Sequence, residues 1–198
     1  LEIQGPEASH FLNNILSFDV PQLQLNRAKY SVICNESGGI IDDCITYRIG
    51  QDRFLLIPNA SNTTEVLRWL KKWSTDNEHM SIEDITVKTA MIACQGPKAS
   101  DVLSKTSGLN LDSIGRFCIV KTQIAGNDSL IARTGYTGED GFELILQETD
   151  AEQTWGLLLN NGAKPCGLGA RDILRLEAGL LLHGNDMDTS TNPYEAGL

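Results

Sequence analysis

The 198-residue chain has no apolar run long enough to span a bilayer, and no signal-peptide pattern opens it. Basic residues are scarce: Lys and Arg total 16 against 26 Asp and Glu, a formal net charge of −10. Such a surface repels phosphate backbones and anionic lipid, which sets aside nucleic acid and membranes as main partners. The five cysteines, Cys34, Cys44, Cys94, Cys118 and Cys166, form no CxxC pair and have no histidine at metal-ligand spacing. They are expected as buried small hydrophobes in a reducing compartment, with no metal and no disulfide framework. The three histidines sit in no Ser, Cys or Asp pattern that would make a triad. No phosphate-cradling loop is present either. The segment "GYTGEDG" is rich in glycine, but it falls in a predicted hairpin rather than at a strand-to-helix turn, the context a nucleotide loop needs. The chain opens on Leu1 rather than Met, so a fragment or a processed form is expected.

What is present begins with a repeated word. "IQGPEAS" at residues 3–9 returns as "CQGPKAS" at residues 94–100. Each copy leads into an apolar pattern of helical period: Ala8, Phe11, Leu12 and Leu16 after the first, Ala99, Val102 and Leu103 after the second. Proline after glycine marks a helix start, because proline at the first helical position gives up no needed donor. Farther on, "IIDDCITYRIGQDRFLLIP" reads as strand, turn around residues 50–52, strand. "DSLIARTGYTGEDGFELIL" reads the same way, with its turn near residues 138–141. An amphipathic helix follows each hairpin, over residues 64–73 and 151–160. The predicted class is α+β: two duplicated ferredoxin-like α/β subdomains with mostly antiparallel sheets. Residues 1–87 form the first and 88–183 the second. Residues 184–198 either return toward the first subdomain or lead to a further C-terminal domain.

Charged residues at three places break the local rules. Asp42 and Asp43 open a strand after "ESGGI", and alternation sends only one of them to the packed face. Counting with Ile41, Ile45 and Tyr47 selects Asp43 as a pocket carboxylate, against the alternative of a turn-end Asp bonded to local backbone. Glu143 interrupts "GFELIL", with Phe142, Leu144 and Leu146 on the opposite face. A buried carboxylate needs donors, and a heterocycle with an amino group beside a ring N–H offers two; the alternative is an edge-strand Glu in water. Arg171 stands near the start of a helix predicted over 170–182, where the helix dipole disfavours a cation. Asp172 and Arg175 have the spacing of an ordinary surface pair.

These stretches also carry a family likeness. "GGIIDD", "RTGYTGEDGFE", "GLGARDILRLEAGLLLHGND" and "PYEAGL" closely resemble, in the same order, the aminomethyltransferase (T-protein) family of the glycine cleavage system. The resemblance implies a tetrahydrofolate-dependent transfer. An aminomethyl group on the lipoyl arm of a partner H-protein gives its carbon to tetrahydrofolate, forming methylenetetrahydrofolate and releasing ammonia. By the same resemblance Asp43 is the catalytic carboxylate, Glu143 clasps the pterin edge and Arg171 is a further folate contact. Tyr30, Ile45 and Tyr47 line the pocket, and Asn59 lies near the incoming carbon. His183 stands where the family commonly has Tyr. Members are longer at both ends, so the chain is expected to lack an N-terminal segment and a C-terminal barrel domain.

Relatives sharing the scaffold supply the alternatives: a folate-dependent demethylase, a dimethylglycine-dehydrogenase-type folate domain, or a non-catalytic folate-binding iron–sulfur assembly protein. The expected location is the cytoplasm, or the mitochondrial matrix in a eukaryote.

Overall fold

The first copy of the repeated word folds as a strand that turns sharply into a helix. Strand β1 (Glu2–Gln4) ends at its glutamine, Gly5 takes φ +136°, and helix α1 (Ala8–Ile15) follows. Only glycine suits this turn, since a Cβ at Gly5 would lie 2.1 Å from the carbonyl oxygen of His79. Pro6 lies in the turn itself rather than at the first helical position. This computed structural model describes residues 1–74 and 79–198.

Strands β2 (Ala28–Cys34), β3 (Ile40–Gly50) and β4 (Arg53–Pro58) form a meander, followed by helix α2 (Thr63–Trp73) and the short strand β5 (Ser81–Glu83). The sheet order is β2-β3-β4-β1-β5, with antiparallel pairing throughout. Phe11 and Leu12 of α1 and Val66 and Leu70 of α2 pack on Ile3, Ile33, Phe54 and Leu56 of the sheet. Burying each of the larger side chains contributes about 1.5–3 kcal/mol.

The register of β2 on β3 slips once. Ile33 faces Asp42 and Cys34 faces Ile40, so Ile41 is an extra residue, a β-bulge. The bulge corrects the face expected for Ile41. It packs with Ile33 and Cys44 in the helix-covered core, while Ile40 packs with Val32 and Met187. Asp43 lies directly across from Val32, beyond the slip.

The second copy repeats the plan. Strand β6 (Thr89–Gln95) ends at its glutamine, Gly96 takes φ +107°, and helix α3 (Ala99–Ser107) begins. In both copies the alanine N–H that starts the helix bonds back to the glycine carbonyl at 2.9 Å. Strands β7 (Ile119–Ile124), β8 (Asn127–Ala132) and β9 (Gly141–Gln147) form the meander, and helix α4 (Ala151–Asn160) follows. The order β7-β8-β9-β6 matches β2-β3-β4-β1 strand for strand. Val102 and Leu103 of α3 and Leu158 of α4 pack on Phe142, Leu144 and Leu146.

Helix α5 (Leu168–Glu177) ends earlier than the apolar pattern to Leu182 predicts. Gly179 takes φ +70°, its N–H bonds to the Leu176 carbonyl, and Leu180 N–H bonds to the Arg175 carbonyl. This paired closure is a Schellman stop, available to glycine because it has no Cβ to strain. By contact the chain divides into two units, residues 1–85 with 181–198, and residues 86–180. The cysteines depart in part from expectation: Cys44 and Cys94 are buried, Cys34 and Cys118 are half-buried, and Cys166 is exposed. Among the described residues no helix is long and apolar enough to cross a membrane.

Candidate functional site

In the first unit, Asp43 is buried on β3, an interior strand, and its carboxylate is bonded by side chains of other elements. Tyr30, on the neighbouring β2, donates its hydroxyl to Asp43 Oδ2 at 3.0 Å. Asn59, the residue after β4, donates from Nδ2 to Asp43 Oδ1 at 2.7 Å. Ile45 is half-buried opposite Tyr30, and Tyr47 is wholly buried opposite Ala28 and Leu55, behind the polar group. The structure thus brings Tyr30, Asp43 and Asn59 into hydrogen-bond contact, with Ile45 and Tyr47 as apolar neighbours along β3.

Sequence alternation missed Asp42. It was expected to be the carboxylate turned away, yet it has 0% exposure. Asn59 holds it twice, from its backbone N–H to Oδ2 at 3.0 Å and from Nδ2 to Oδ1 at 2.8 Å. Burial raises the Asp42 carboxyl above the ordinary aspartate range, opposed by the hydrogen bonds from Asn59 and by the charge of His183. His183 Nδ1 lies 3.8 Å from Asp42 Oδ1. Beside them, burial pushes the Cys44 thiol up to about 12, which keeps it protonated and inert.

In the second unit, Glu143 is buried on β9, between Ala93 of β6 and Ala132 of β8, which removes the edge-strand alternative. Thr134 donates its hydroxyl to Glu143 Oε2 at 2.5 Å. The loop that presents Thr134 is tied down at both ends. Arg133 makes a bidentate pair with Asp140, at 2.9 and 2.7 Å. Gln95, the last residue of β6, donates to the carbonyls of Thr134 and Phe142, both at 3.1 Å, and accepts from Thr137. The glycines of "RTGYTGEDGFE" make room for that clamp: a Cβ on Gly135 or Gly141 would lie 1.9 or 2.6 Å from the Gln95 side chain.

Arg171, in the first turn of α5, stacks its guanidinium 4.7 Å from the centroid of the Tyr136 ring. Tyr136 was not singled out in the sequence; its place inside "RTGYTGEDGFE", a stretch that carries the family likeness, is the signal that could have found it. Asp172 and Arg175 do form the expected pair, at 2.8 Å, with the Arg175 side chain buried.

A separate cleft in the first unit, lined by His10, Phe11, Cys34, Trp69 and Trp73, contains none of these residues. Among the described residues no group of three or more His, Cys, Asp and Glu is placed to hold a metal ion.

The GCVT N-terminal domain family matches this chain over residues 1–198. The chain is 44% identical over 200 residues to an aminomethyltransferase of Thermotoga maritima, covering 99% of this chain and 55% of that protein. Its fold superposes on the glycine cleavage system aminomethyltransferase T from Bartonella henselae with a TM-score of 0.87 and 37% identity, over 97% of this chain and 52% of that one. A heterotetrameric sarcosine oxidase from Corynebacterium sp. U-96 gives a TM-score of 0.57 at 18% identity, over 84% of this chain and 82% of that one, a likeness of fold alone. The chain spans about half the length of the curated relatives it matches. Matched along its whole length, it belongs to the GCVT N-terminal domain family.

Proposed function

We propose that this chain is the folate-binding core of an aminomethyltransferase of glycine cleavage. It would move a one-carbon unit from an aminomethyl group on the lipoyl arm of a carrier H-protein to tetrahydrofolate, with release of ammonia. The names of its relatives and the whole-length family match support this reading.

The observation that carries it is the dressing of Asp43. Each of its carboxylate oxygens accepts one hydrogen bond from a neutral donor, Tyr30 on one side and Asn59 on the other. A carboxylate oxygen has a second lone pair, so the group keeps acceptor capacity for a ligand while its orientation is already fixed. Tetrahydrofolate would supply the nitrogens that receive the carbon. Asp43 then provides a fixed negative charge beside atoms that gain positive charge during the transfer. One such preorganised group lowers a barrier by a few kcal/mol, about 2.7–4 for a well-placed donor in a comparable role. Because Tyr30 and Asn59 hold the carboxylate beforehand, no reorganisation is needed when the charge develops.

The burial of Glu143 and its hydrogen bond from Thr134 support its reading as the acceptor for a paired donor edge. In this reading it receives the amino group and ring N–H of the pterin. Arg171 and its stacking partner Tyr136 form a planar cation on a flat ring, suited to the anionic or aromatic part of the folate. Half-buried Ile45 supplies the apolar side of the site beside Asp43, with the wholly buried Tyr47 supporting it along β3. Asn59 faces the incoming carbon from the same amide that holds Asp43.

Calorimetric titration of tetrahydrofolate into the intact protein tests the binding half of this reading, with Asp43→Ala and Glu143→Ala alongside. Saturable binding that Glu143→Ala weakens and Asp43→Ala largely retains is the expected result. No heat of binding in the wild type would end it.

A further inference from the structure

The segment that returns to the first unit carries a histidine whose hydrogen-bond account is incomplete. The segment is pinned by backbone contacts. Ile40 N–H reaches the carbonyls of Asp188 and Thr191 at 3.1 and 3.0 Å, and the buried Met187 packs with Val32 and Ile40. Gly39 allows the approach, since a Cβ there would lie 1.8 Å from the Thr189 carbonyl oxygen. His183, bridged to Met187, is therefore placed without any help from its ring. Its Nδ1 faces Asp42 at 3.8 Å, and its Nε2 is buried with no hydrogen-bond partner among the described residues. A buried ring nitrogen left unpaired is unfavourable, so packing alone gives no reason to put an imidazole here.

Asp42 gives one. A single amide nitrogen, Asn59 Nδ2, reaches both Asp42 Oδ1 and Asp43 Oδ1, at 2.8 and 2.7 Å. The additional bond from the Asn59 backbone N–H to Asp42 makes the hold on Asn59 two-point, which decides where the second amide hydrogen is aimed. Two carboxylates on one donor repel when both are ionised, more strongly in a buried site. Among the described residues, the basic side chain within ion-pair distance of either one is His183, which carries charge when its ring is protonated.

We propose that Asp42 and His183 are a positioning pair for Asp43: protonated His183 holds Asp42 ionised, Asp42 clamps Asn59, and Asn59 aims its amide at the reacting carboxylate. This rests on the reading of Asp43 given above. The other titratable groups around the pair are Asp43 and Cys44 on β3, Tyr30 on β2, and Asp186 and Asp188 on the returning segment. The clamp needs a protonated imidazole, the side-chain chemistry that changes charge around neutral pH, and it loosens where that charge is lost.

The test compares pH profiles of turnover in the intact protein, wild type against His183→Gln, Asp42→Asn and Asp43→Asn, with the KM for tetrahydrofolate read at each pH. In the wild type, kcat falls on the alkaline side. His183→Gln removes that limb and lowers kcat roughly tenfold, the scale on which an outer supporting residue acts, with KM unchanged. Asp42→Asn, which turns a donor toward Asn59, lowers kcat with KM unchanged.

A second readout needs no turnover. The carboxyl carbon resonance of Asp43 should respond to pH around neutrality in the wild type, and that response should vanish in His183→Gln. Should Asp43→Asn turn over at the wild-type rate, the reading of Asp43 fails and this proposal with it. Should Asp43→Asn be inactive while His183→Gln keeps both the alkaline limb and the Asp43 response, the positioning pair alone is overturned.

Discussion

Asn59 Nδ2 lies 2.7 Å from Asp43 Oδ1, so the residue after β4 orients a carboxylate inside β3. The same side chain and its backbone N–H satisfy Asp42, which has no exposed surface. Replacing Asn59 by Ala strands buried acceptors, a loss of about 1–3 kcal/mol. Denaturant unfolding of Asn59→Ala should show a lower midpoint with an unchanged slope. A midpoint equal to wild type would mean that the amide is dispensable to the two carboxylates.

Asp42 and Asp140 should titrate on opposite sides of the ordinary aspartate value. Burial raises Asp42, whereas the Arg133 hydrogen bonds lower Asp140. The signs for stability follow from proton linkage. The native state binds the Asp42 proton more tightly than the unfolded chain does. Stability from Asp42 therefore declines as pH rises from the ordinary carboxylate value through its raised native one. Asp140 behaves in reverse: its contribution is present above the unfolded value and is lost as pH falls through the native one. Carbon-detected titration of the two carboxyls checks both, and an Asp42 midpoint at or below that of Asp140 would contradict the burial argument.

Much of this architecture could be read from local pattern, and what could not has identifiable causes. The β3–β4 hairpin and the strand at Glu143 announce themselves by alternation. Phe142, Leu144 and Leu146 go to the helix-covered core and Glu143 to the other face. Asp42 does lie on the face opposite Asp43, as alternation requires, across from Ile33 of the helix-covered core. It escaped because both faces of β3 are covered here, which nothing in "GGIIDD" marks, and the bulge displaces Ile41 from its counted face. The end of α5 was misplaced because the apolar run "LLL" continues the helical pattern past Gly179, whose positive φ stops it. Gln95 looked like part of a repeated word. Its clamp on the loop of residues 134–141 is a contact between distant stretches, invisible to any local window.

Glu143→Ala should weaken tetrahydrofolate binding by about 1–3 kcal/mol, the cost of leaving paired donors without their acceptor. Glu143→Gln, which keeps the shape but replaces one acceptor by a donor, should fall between. Calorimetric dissociation constants check the order, and a constant unchanged in Glu143→Ala would show that this carboxylate does not meet the pterin.

Arg171→Ala should also loosen folate, and Tyr136→Ala should do so partly through Arg171, because the ring is the surface on which the guanidinium rests. In a double-mutant cycle the two losses should be less than additive, as expected for residues in contact. Full additivity would separate the stack from the ligand.

A held carboxylate at position 43 that serves carbon transfer to a reduced folate should make ammonia release depend on both. The most direct test is ammonia release from an aminomethyl-lipoyl carrier protein by the intact protein, with and without tetrahydrofolate. Release should depend on tetrahydrofolate, and Asp43→Ala should reduce it by at least about a hundredfold. Release independent of tetrahydrofolate, or equal in Asp43→Ala and wild type, would contradict it.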